Sequence, residues 1–261
     1  MTTPSHLLRH WKQIERRLRR ARRVALFTDF DGTLVPIRRH PSDVWLSNAS
    51  RLLLERLARR GVLVGVISGR PLDDIGRRVG VPGIWYVGAH GFSLRGPANR
   101  VYERLNLKEK KKIARARQLL VRRLAGLSGI ALEDKQAMVG VHYRQASASV
   151  RDSAWSVVEQ VMRQVGGLHL LAGKKVWELF PRRPNQKWMA LQSILRQESH
   201  ARARKGWEMF YLGDDTTDEL VFEELRGWSV AVGKRRRTAA RYFLNSPAEV
   251  SKFLRRLAEV V

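Results

Sequence analysis

Two aspartates two residues apart, Asp29 and Asp31, follow the apolar run Val24-Ala25-Leu26-Phe27 and are followed at once by Gly32 and Thr33. On an extended backbone residues i and i+2 point the same way, so this pair can address one ligand. Two carboxylates held so close repel each other, and they stay ionised together only with a cation or a proton between them. Other groups able to do chemistry stand in Ser68 and Arg70, in Gly88 to His90, and in Asp214 and Asp215 with Asp218 just beyond; Lys187 precedes the last set alone. Carboxylates clustered in a chain without cysteine suit a hard, oxygen-seeking cation such as Mg2+, which keeps several waters and takes phosphate oxygens. That cation and a lysine can jointly neutralise a phosphoryl group beside a carboxylate nucleophile. Attack by the carboxylate forms an aspartyl-phosphate and splits one of the slowest hydrolyses into two steps. The alternative, a solvated turn rich in Asp and Gly, does not require the apolar run before it.

The elements that must bring these groups together follow from the hydrophobic periodicity. Val24–Phe27, Val62–Ile67, Trp85–Val87 and Glu208–Leu212 read as buried strands of a parallel sheet, and each runs directly into one of the groups. In such a sheet the strand ends share one edge, where α/β proteins bind ligands. Residues 5–22 read as a basic amphipathic helix with Leu7, Leu8, Trp11, Ile14 and Leu18 on its apolar line. Ser47 can cap a helix that runs to Arg60 and ends at Gly61. A helix near Lys187, strands at Trp228–Gly233 and Arg241–Leu244, and a helix from Pro247 complete this part.

Between these stretches the composition changes. A helix from about Leu107 turns Ile113, Leu120, Leu124 and Leu127 inward; strands are expected over 130–135 and 138–143. A second helix lines up Val150, Ala154, Val157, Val161 and Val165, and strands over 168–171 and 175–180 follow. Residues 107–181 are therefore expected to form a smaller α/β domain inserted into a core made of 1–106 and 182–261.

The formal charge of +26 and the pI of about 11.5 set a strongly positive field, which attracts phosphorylated metabolites, RNA and acidic surfaces alike. No zinc-finger pattern or RNA-recognition aromatic signature accompanies it, so no dedicated nucleic-acid partner is expected, while non-specific polyanion binding is. Without cysteines there are no disulfides, and no apolar run approaches the roughly 18 residues of a membrane span. The expectation is a cytoplasmic protein without membrane attachment.

Asp29-Phe30-Asp31-Gly32-Thr33-Leu34, Ser68, Lys187 and Gly213-Asp214-Asp215 together resemble the four motifs of haloacid dehalogenase superfamily phosphatases. Ile67-Ser68-Gly69-Arg70, Gly88-Ala89-His90-Gly91, Glu133-Asp134-Lys135, Val141-His142-Tyr143-Arg144 and Asp214-Asp215-Thr216-Thr217-Asp218-Glu219 narrow the resemblance to the trehalose-6-phosphate phosphatase family. The resemblance implies an α/β fold with a Rossmann-like parallel-sheet core and an inserted smaller α/β cap domain. It also implies Mg2+ as cofactor, trehalose 6-phosphate as substrate and a place in trehalose biosynthesis. Asp29 would be the nucleophile, and Asp31 the acid that later activates water. Ser68 and Lys187 would hold the phosphoryl group. Asp29, the Asp31 carbonyl and Asp214 would bind the metal, with Asp215 and Asp218 behind them. Arg70, Glu133, Lys135 and Glu178 would contact the substrate, the last three through sugar hydroxyls; His90 reads equally as a structural histidine or a substrate contact. Glu133 and Lys135 also read as a surface ion pair. The chain departs from the family at Phe180, where an arginine commonly precedes the proline, and at Trp188, where glycine commonly follows the lysine. Two rival functions remain at this stage: the same chemistry on another sugar phosphate, such as mannosyl-phosphoglycerate or sucrose phosphate, and a polyanion- or RNA-binding protein on this fold.

Overall fold

The computed structural model describes residues 3–38, 43–173, 175–181, 186–198, 207–233 and 237–261. Its strands and helices are, in chain order, β1 (Ser5–His6), α1 (Trp11–Arg20), β2 (Arg23–Asp29), α2 (Asn48–Arg59), β3 (Leu63–Ile67), α3 (Leu72–Val79), β4 (Trp85–Gly88), β5 (Ser93–Arg95), β6 (Val101–Glu103), α4 (Leu107–Leu124), β7 (Ala131–Asp134), β8 (Val139–His142), α5 (Ala148–Val165), β9 (His169–Gly173), β10 (Val176–Phe180), α6 (Gln186–Glu198), β11 (Trp207–Gly213), α7 (Thr216–Glu224), β12 (Trp228–Val232), β13 (Tyr242–Leu244) and α8 (Pro247–Val260). The chain divides into two compact units, Met1–Tyr102 with Asn185–Val261, and Glu103–Pro184 between them in sequence. This is the α/β class expected, and among the described residues no helix is long and apolar enough to cross a membrane.

Among the described residues, the first unit is built on a nine-stranded sheet in the order β1-β13-β12-β11-β2-β3-β4-β5-β6. Pairing is parallel from β1 through β4, and β5 then runs antiparallel to β4. From β2 the chain lays β3 and β4 outward on one side; when it returns, β11 takes the other side of β2 and β12 and β13 continue away from it. The order of winding therefore reverses between β2 and β11. In doubly wound sheets such a reversal opens a crevice at the carboxyl ends of the two strands.

The strands are apolar on both faces because both faces are covered. Val24 and Leu26 of β2 join Val64, Phe210 and Leu212 in one core with Ile14 of α1, Leu54 and Leu57 of α2, Ile75 of α3, and Phe253 and Leu257 of α8. Ala25 and Phe27, of opposite parity, join Ile67, Val87 and Tyr211 in a second core with Ala190, Leu191 and Ile194 of α6 and Val221 and Phe222 of α7. The α6/α7 face is thus reached by the odd-numbered residues of β2.

The amino-terminal segment differs from the expectation of one helix over 5–22. Ser5 and His6 pair in parallel with Tyr242 and Phe243, Leu7–His10 form a single 3-10 turn, and the α-helix begins only at Trp11. Leu7 is fully buried and the His6 ring meets Phe243 edge-on at 5.1 Å, so tertiary contacts hold this segment extended. The buried Glu208 accepts from Arg17 and from the Trp228 indole, tying α1 to the sheet.

Among the described residues, the second unit contains a four-stranded antiparallel sheet, β7-β8-β10-β9. Its core joins Ile113, Leu120 and Leu124 of α4 and Ala154, Val158 and Val161 of α5 to Val139, Val141, Trp177 and Leu179. Ala154 and Val161 of the expected line are fully buried, as is Val158, while Val157 and Val165 are partly buried against the same core, so the apolar stripe of α5 is wider than its sequence pattern. A capping box between Asn106 and Glu109 starts α4, and the Ser47 side chain accepts from Ser50 N–H to start α2.

Glu249 accepts from the Asn245 backbone and side chain, and from His6 at 2.8 Å. Partial burial pushes its carboxyl up, but these bonds outweigh it and hold it down at about 2, against an ordinary 4.5. A depressed carboxyl contributes stability above the unfolded value and loses it as pH falls through the folded value. Glu249→Gln should therefore cost about 1 kcal/mol at pH 7. Urea titrations should show the gap between variant and parent closing below pH 4.5 and vanishing near pH 2.

Candidate active site

Asp29 ends β2 with the parity of Ala25 and Phe27, and so emerges on the α6/α7 face beside β11. Lys187, in the first turn of α6, donates from Nζ to Asp29 Oδ1 at 2.8 Å and to Asp218 Oδ1 at 2.7 Å. Asp218 lies in the first turn of α7, where its Oδ2 accepts from Asp215 N–H at 2.9 Å as half of a capping box. Tyr211, on β11 and of the same face, donates from its hydroxyl to Asp218 Oδ1 at 2.6 Å. Asp29, Lys187 and Asp218 are 6%, 2% and 0% exposed, so their charges are tolerable only as a paired group. Burial alone would lower the Lys187 ammonium, but Asp218 and Asp29 outweigh it and hold its pKa above the usual value. Burial, helped by Asp218, raises the Tyr211 phenol, which keeps it a donor.

Asp214 follows β11 directly, and one carboxylate oxygen each from Asp29, Asp214 and Asp218 fall within 4.8 Å of one another. Burial, together with Asp218 and Asp214, raises the Asp29 carboxyl well above its ordinary value in spite of Lys187, because three carboxylates against one ammonium would leave two negative charges in excess; the donors are all hard oxygens. This set fits a divalent cation.

The loops at the strand ends are locked by close backbone approaches. Gly32 has φ +86°, and a Cβ there would stand 2.1 Å from Asp214 Oδ2. Gly91 has φ +112°, and its Cβ would meet Gln186 O at 2.2 Å, at the start of α6. The loop after β4 thereby seats the turn that presents Lys187. It is bound in turn to the loop after β3: Ala89 N–H donates to Arg70 O at 2.8 Å and His90 N–H to Ser68 O at 3.0 Å. The buried Ser68 hydroxyl accepts from Arg70 N–H at 3.1 Å. His90 lies half-buried on this loop in a left-handed conformation, φ 55°.

Asp31 turns to Arg70, which donates through Nε at 2.6 Å and Nη2 at 2.7 Å to its two oxygens. Arg70 also reaches Asp74 at 3.1 Å, Asp74 accepts from Arg78 at 2.7 Å, and Arg78 donates to Val44 O at 2.6 Å. Partial burial works against the Arg70 charge, but Asp31 and Asp74 raise its pKa overall. Asp215, exposed, serves as the N-cap of α7.

Glu133, Lys135 and Glu178 come together within the second unit. Glu133 on β7 and Glu178 on β10 both stand in register with Gly140 of the strand between them. Lys135 Nζ lies 2.7 Å from Glu178 Oε1 and 3.4 Å from Glu133 Oε2, with Lys135 and Glu178 nearly buried and Glu133 open. His142 Nε2 lies 2.8 Å from Glu133 Oε2. Burial raises the Glu133 carboxyl, but His142 and Lys135 outweigh it and lower its pKa. Phe180, at the family's arginine position, is fully buried. Trp188 lies inside the first turn of α6 and packs against the α6/α7 core, so no glycine conformation is needed there.

Sequence reasoning did not single out Tyr211, Asp74 or Arg78, and gave His142 no role. Tyr211 sits in an apolar strand where a tyrosine reads as core, and Asp74 and Arg78 read as solvated helix charges. Only the alternation of Gly140, His142 and Arg144 against Val139, Val141 and Tyr143 placed His142 on the face away from the core.

The fold is that of haloacid dehalogenase-like hydrolases: one such protein from Bacteroides thetaiotaomicron superposes with a TM-score of 0.67 at 17% identity, over 90% of this chain and 100% of its own. The C-terminal domain of a trehalose-6-phosphate phosphatase from C. albicans superposes with a TM-score of 0.78 at 21% identity, over 100% of both chains. The trehalose-phosphatase family model matches residues 27–248, and the chain belongs to that family. A trehalose-phosphate phosphatase of Mycobacterium tuberculosis is 36% identical over 249 residues, covering 91% of this chain. A probable trehalose-phosphate phosphatase D of Arabidopsis thaliana is 31% identical over 261 residues, covering 92% of this chain and 68% of its own. The chain spans 62% of the length of the mycobacterial relative.

Removing the ammonium while keeping a side chain of similar length should expose how far the pairing holds the fold. Lys187→Met leaves Asp29 and Asp218 buried without their cation, an expected loss of about 3–5 kcal/mol. Urea unfolding at pH 7 in the presence of a chelator measures it; a loss below about 1 kcal/mol would mean the cluster is not the buried ion group described.

Proposed function

We propose that this chain is a Mg2+-dependent phosphatase that hydrolyses trehalose 6-phosphate to trehalose and phosphate through an aspartyl-phosphate. The observation that carries the reading is the buried Lys187 ammonium bound to Asp29 and Asp218 at the sheet's reversal point, with Asp214 beside them. Family membership supports it. Asp29 attacks phosphorus, and the leaving sugar oxygen takes a proton from Asp31. Water then attacks the phosphorus of the aspartyl-phosphate and gives a proton to Asp31, releasing phosphate and restoring Asp29. Lys187 and Ser68 hold the phosphoryl oxygens, while Arg70 fixes the direction of the Asp31 carboxylate. Asp29, Asp214 and the Asp31 carbonyl are the assigned Mg2+ ligands, with Asp215 and Asp218 supporting them; the ion, when bound, neutralises phosphoryl charge. Asp218 has three acceptor positions taken by Lys187, Tyr211 and Asp215, which suits support better than direct ligation. Glu133, Lys135 and Glu178 are assigned to the sugar hydroxyls, which carry no charge and are best held by charge-assisted hydrogen bonds.

Phosphate release over a panel of sugar phosphates, with and without Mg2+, tests the reading directly. Trehalose 6-phosphate should be turned over best, and activity that ignores a chelator would refute the metal assignment. Asp29→Asn should abolish turnover with the fold intact; turnover within about tenfold of the parent would refute the aspartyl-phosphate route.

Sugar recognition has its own test. Alanine at Glu133, Lys135 or Glu178 should lower kcat/KM on trehalose 6-phosphate by about 1.5–4 kcal/mol of transition-state stabilisation. Turnover of para-nitrophenyl phosphate, which lacks the sugar, should hardly change. Equal losses on both substrates would assign these residues to the fold or the chemistry instead.

A further inference from the structure

We infer that Tyr211 is a positioning residue for phosphoryl transfer, its hydroxyl fixing Asp218 and, through Asp218, the ammonium of Lys187. The inference rests on the phosphatase reading and adds to it a residue outside the motifs. Tyr211 is fully buried, and its ring meets Phe222 of α7 edge-on at 5.8 Å. Packing alone would be served by phenylalanine; the hydroxyl must find a partner when buried. Its partner is Asp218 Oδ1, at 2.6 Å, the same oxygen that receives Lys187 at 2.7 Å.

Asp218 is thus held from two sides besides the lysine: by Tyr211 at Oδ1 and by the Asp215 backbone at Oδ2. Lys187 has three N–H donors. Two go to Asp29 and Asp218, and the third is left for the phosphoryl group. Without the phenol, Asp218 Oδ1 would turn its full acceptor strength on Lys187. The ammonium would then be drawn toward α7 and away from Asp29, out of line with the transferring group. Contacts to that group tighten in the transition state, so the loss should fall on kcat rather than KM.

Tyr86 provides a matched control. It is 7% exposed and its hydroxyl donates to Val81 O at 2.6 Å and accepts from Val81 N–H at 2.8 Å, but it lies in the core on the opposite face of the sheet. Tyr211→Phe and Tyr86→Phe should be compared in the full chain with Mg2+ present, by circular dichroism, thermal melting, turnover of the best substrate, and inhibition by orthovanadate and by phosphate. Tyr211→Phe should keep the fold and lower kcat about 10- to 100-fold, with KM within about twofold. Orthovanadate, which mimics five-coordinate phosphorus, should lose affinity by a similar factor, and phosphate by less. Tyr86→Phe should melt earlier but keep kcat within about twofold.

A Tyr211→Phe enzyme with unchanged kcat, a loss confined to KM, or an equal kcat loss in Tyr86→Phe would overturn the inference. Should Tyr211→Phe fail to fold, 2,3-difluorotyrosine at position 211 keeps the shape and strengthens the donor; unchanged kcat there would overturn it equally. A parent chain inactive on every phosphate monoester would refute the phosphatase reading itself and take this inference with it. An active parent with an unaffected Tyr211→Phe would leave that reading standing and remove Tyr211 alone.

Discussion

An ammonium buried between two carboxylates is costly to build and more costly to leave incomplete, and the geometry of the first unit follows from completing it. Lys187, Asp29 and Asp218 each arrive from a different element, and all are almost wholly withdrawn from water. Desolvation of one charge alone would take up a large share of a domain's ordinary stability. The group can exist only where a strand end, a helix start and a second helix start converge within hydrogen-bonding distance. The reversal of winding between β2 and β11 supplies that place, and the odd parity of Asp29 aims it at α6 and α7 rather than at the opposite helix layer.

Convergence of this kind also dictates the backbone. Gly91 lets the loop after β4 rest on the first turn of α6, so the start of α6 cannot drift from the sheet edge. Gly32 lets the turn after β2 approach Asp214, which closes the distance between the two central strand ends. On the other side of Asp29, the chain of Asp31, Arg70, Asp74, Arg78 and the Val44 carbonyl fixes a second carboxylate through a bidentate arginine. The two aspartates of the opening motif therefore hold different partners: one faces a buried ammonium, the other a largely buried guanidinium network. Environments this different divide two identical side chains into different chemical roles.

What the sequence reveals and what it hides divide along the same physical line. Strands covered on both faces read as unbroken apolar runs, so β2, β3, β4 and β11 and the groups at their ends are legible, as are helices with a side-chain cap such as Ser47. The edge strands β1 and β6, and β5 next to one of them, hold two or three residues each, too few for a period, and exist because a neighbouring strand recruits them. In the site, the identities of Asp29, Lys187, Asp214 and Asp218 carry their chemistry openly, whereas their pairings do not. Arg70 finds Asp31 across 39 residues because of how two loops lie, and a tyrosine in an apolar strand gives no sign that its hydroxyl ends on a carboxylate. The pair Glu133 and Lys135 is legible from its spacing of two; that Glu178 joins it depends on the register of β10 against β8.

The positive field of the whole chain and the negative site work at different ranges. A net charge of +26 draws phosphate monoesters toward the surface, and would by the same sign repel a divalent cation. At physiological ionic strength that repulsion fades over about 8 Å, whereas buried carboxylates act at contact distance with little screening. With all three carboxylates ionised, the cluster of Asp29, Asp214 and Asp218 would exceed the charge of Lys187 by two, a repulsion that raises the Asp29 carboxyl and that a divalent cation at contact distance would relieve. Once such a cation is in place the cluster no longer opposes an incoming anion, and the outer field and the inner site act in the same direction. An acidic centre inside a basic protein can therefore hold a divalent cation in spite of the sign of the whole chain's charge.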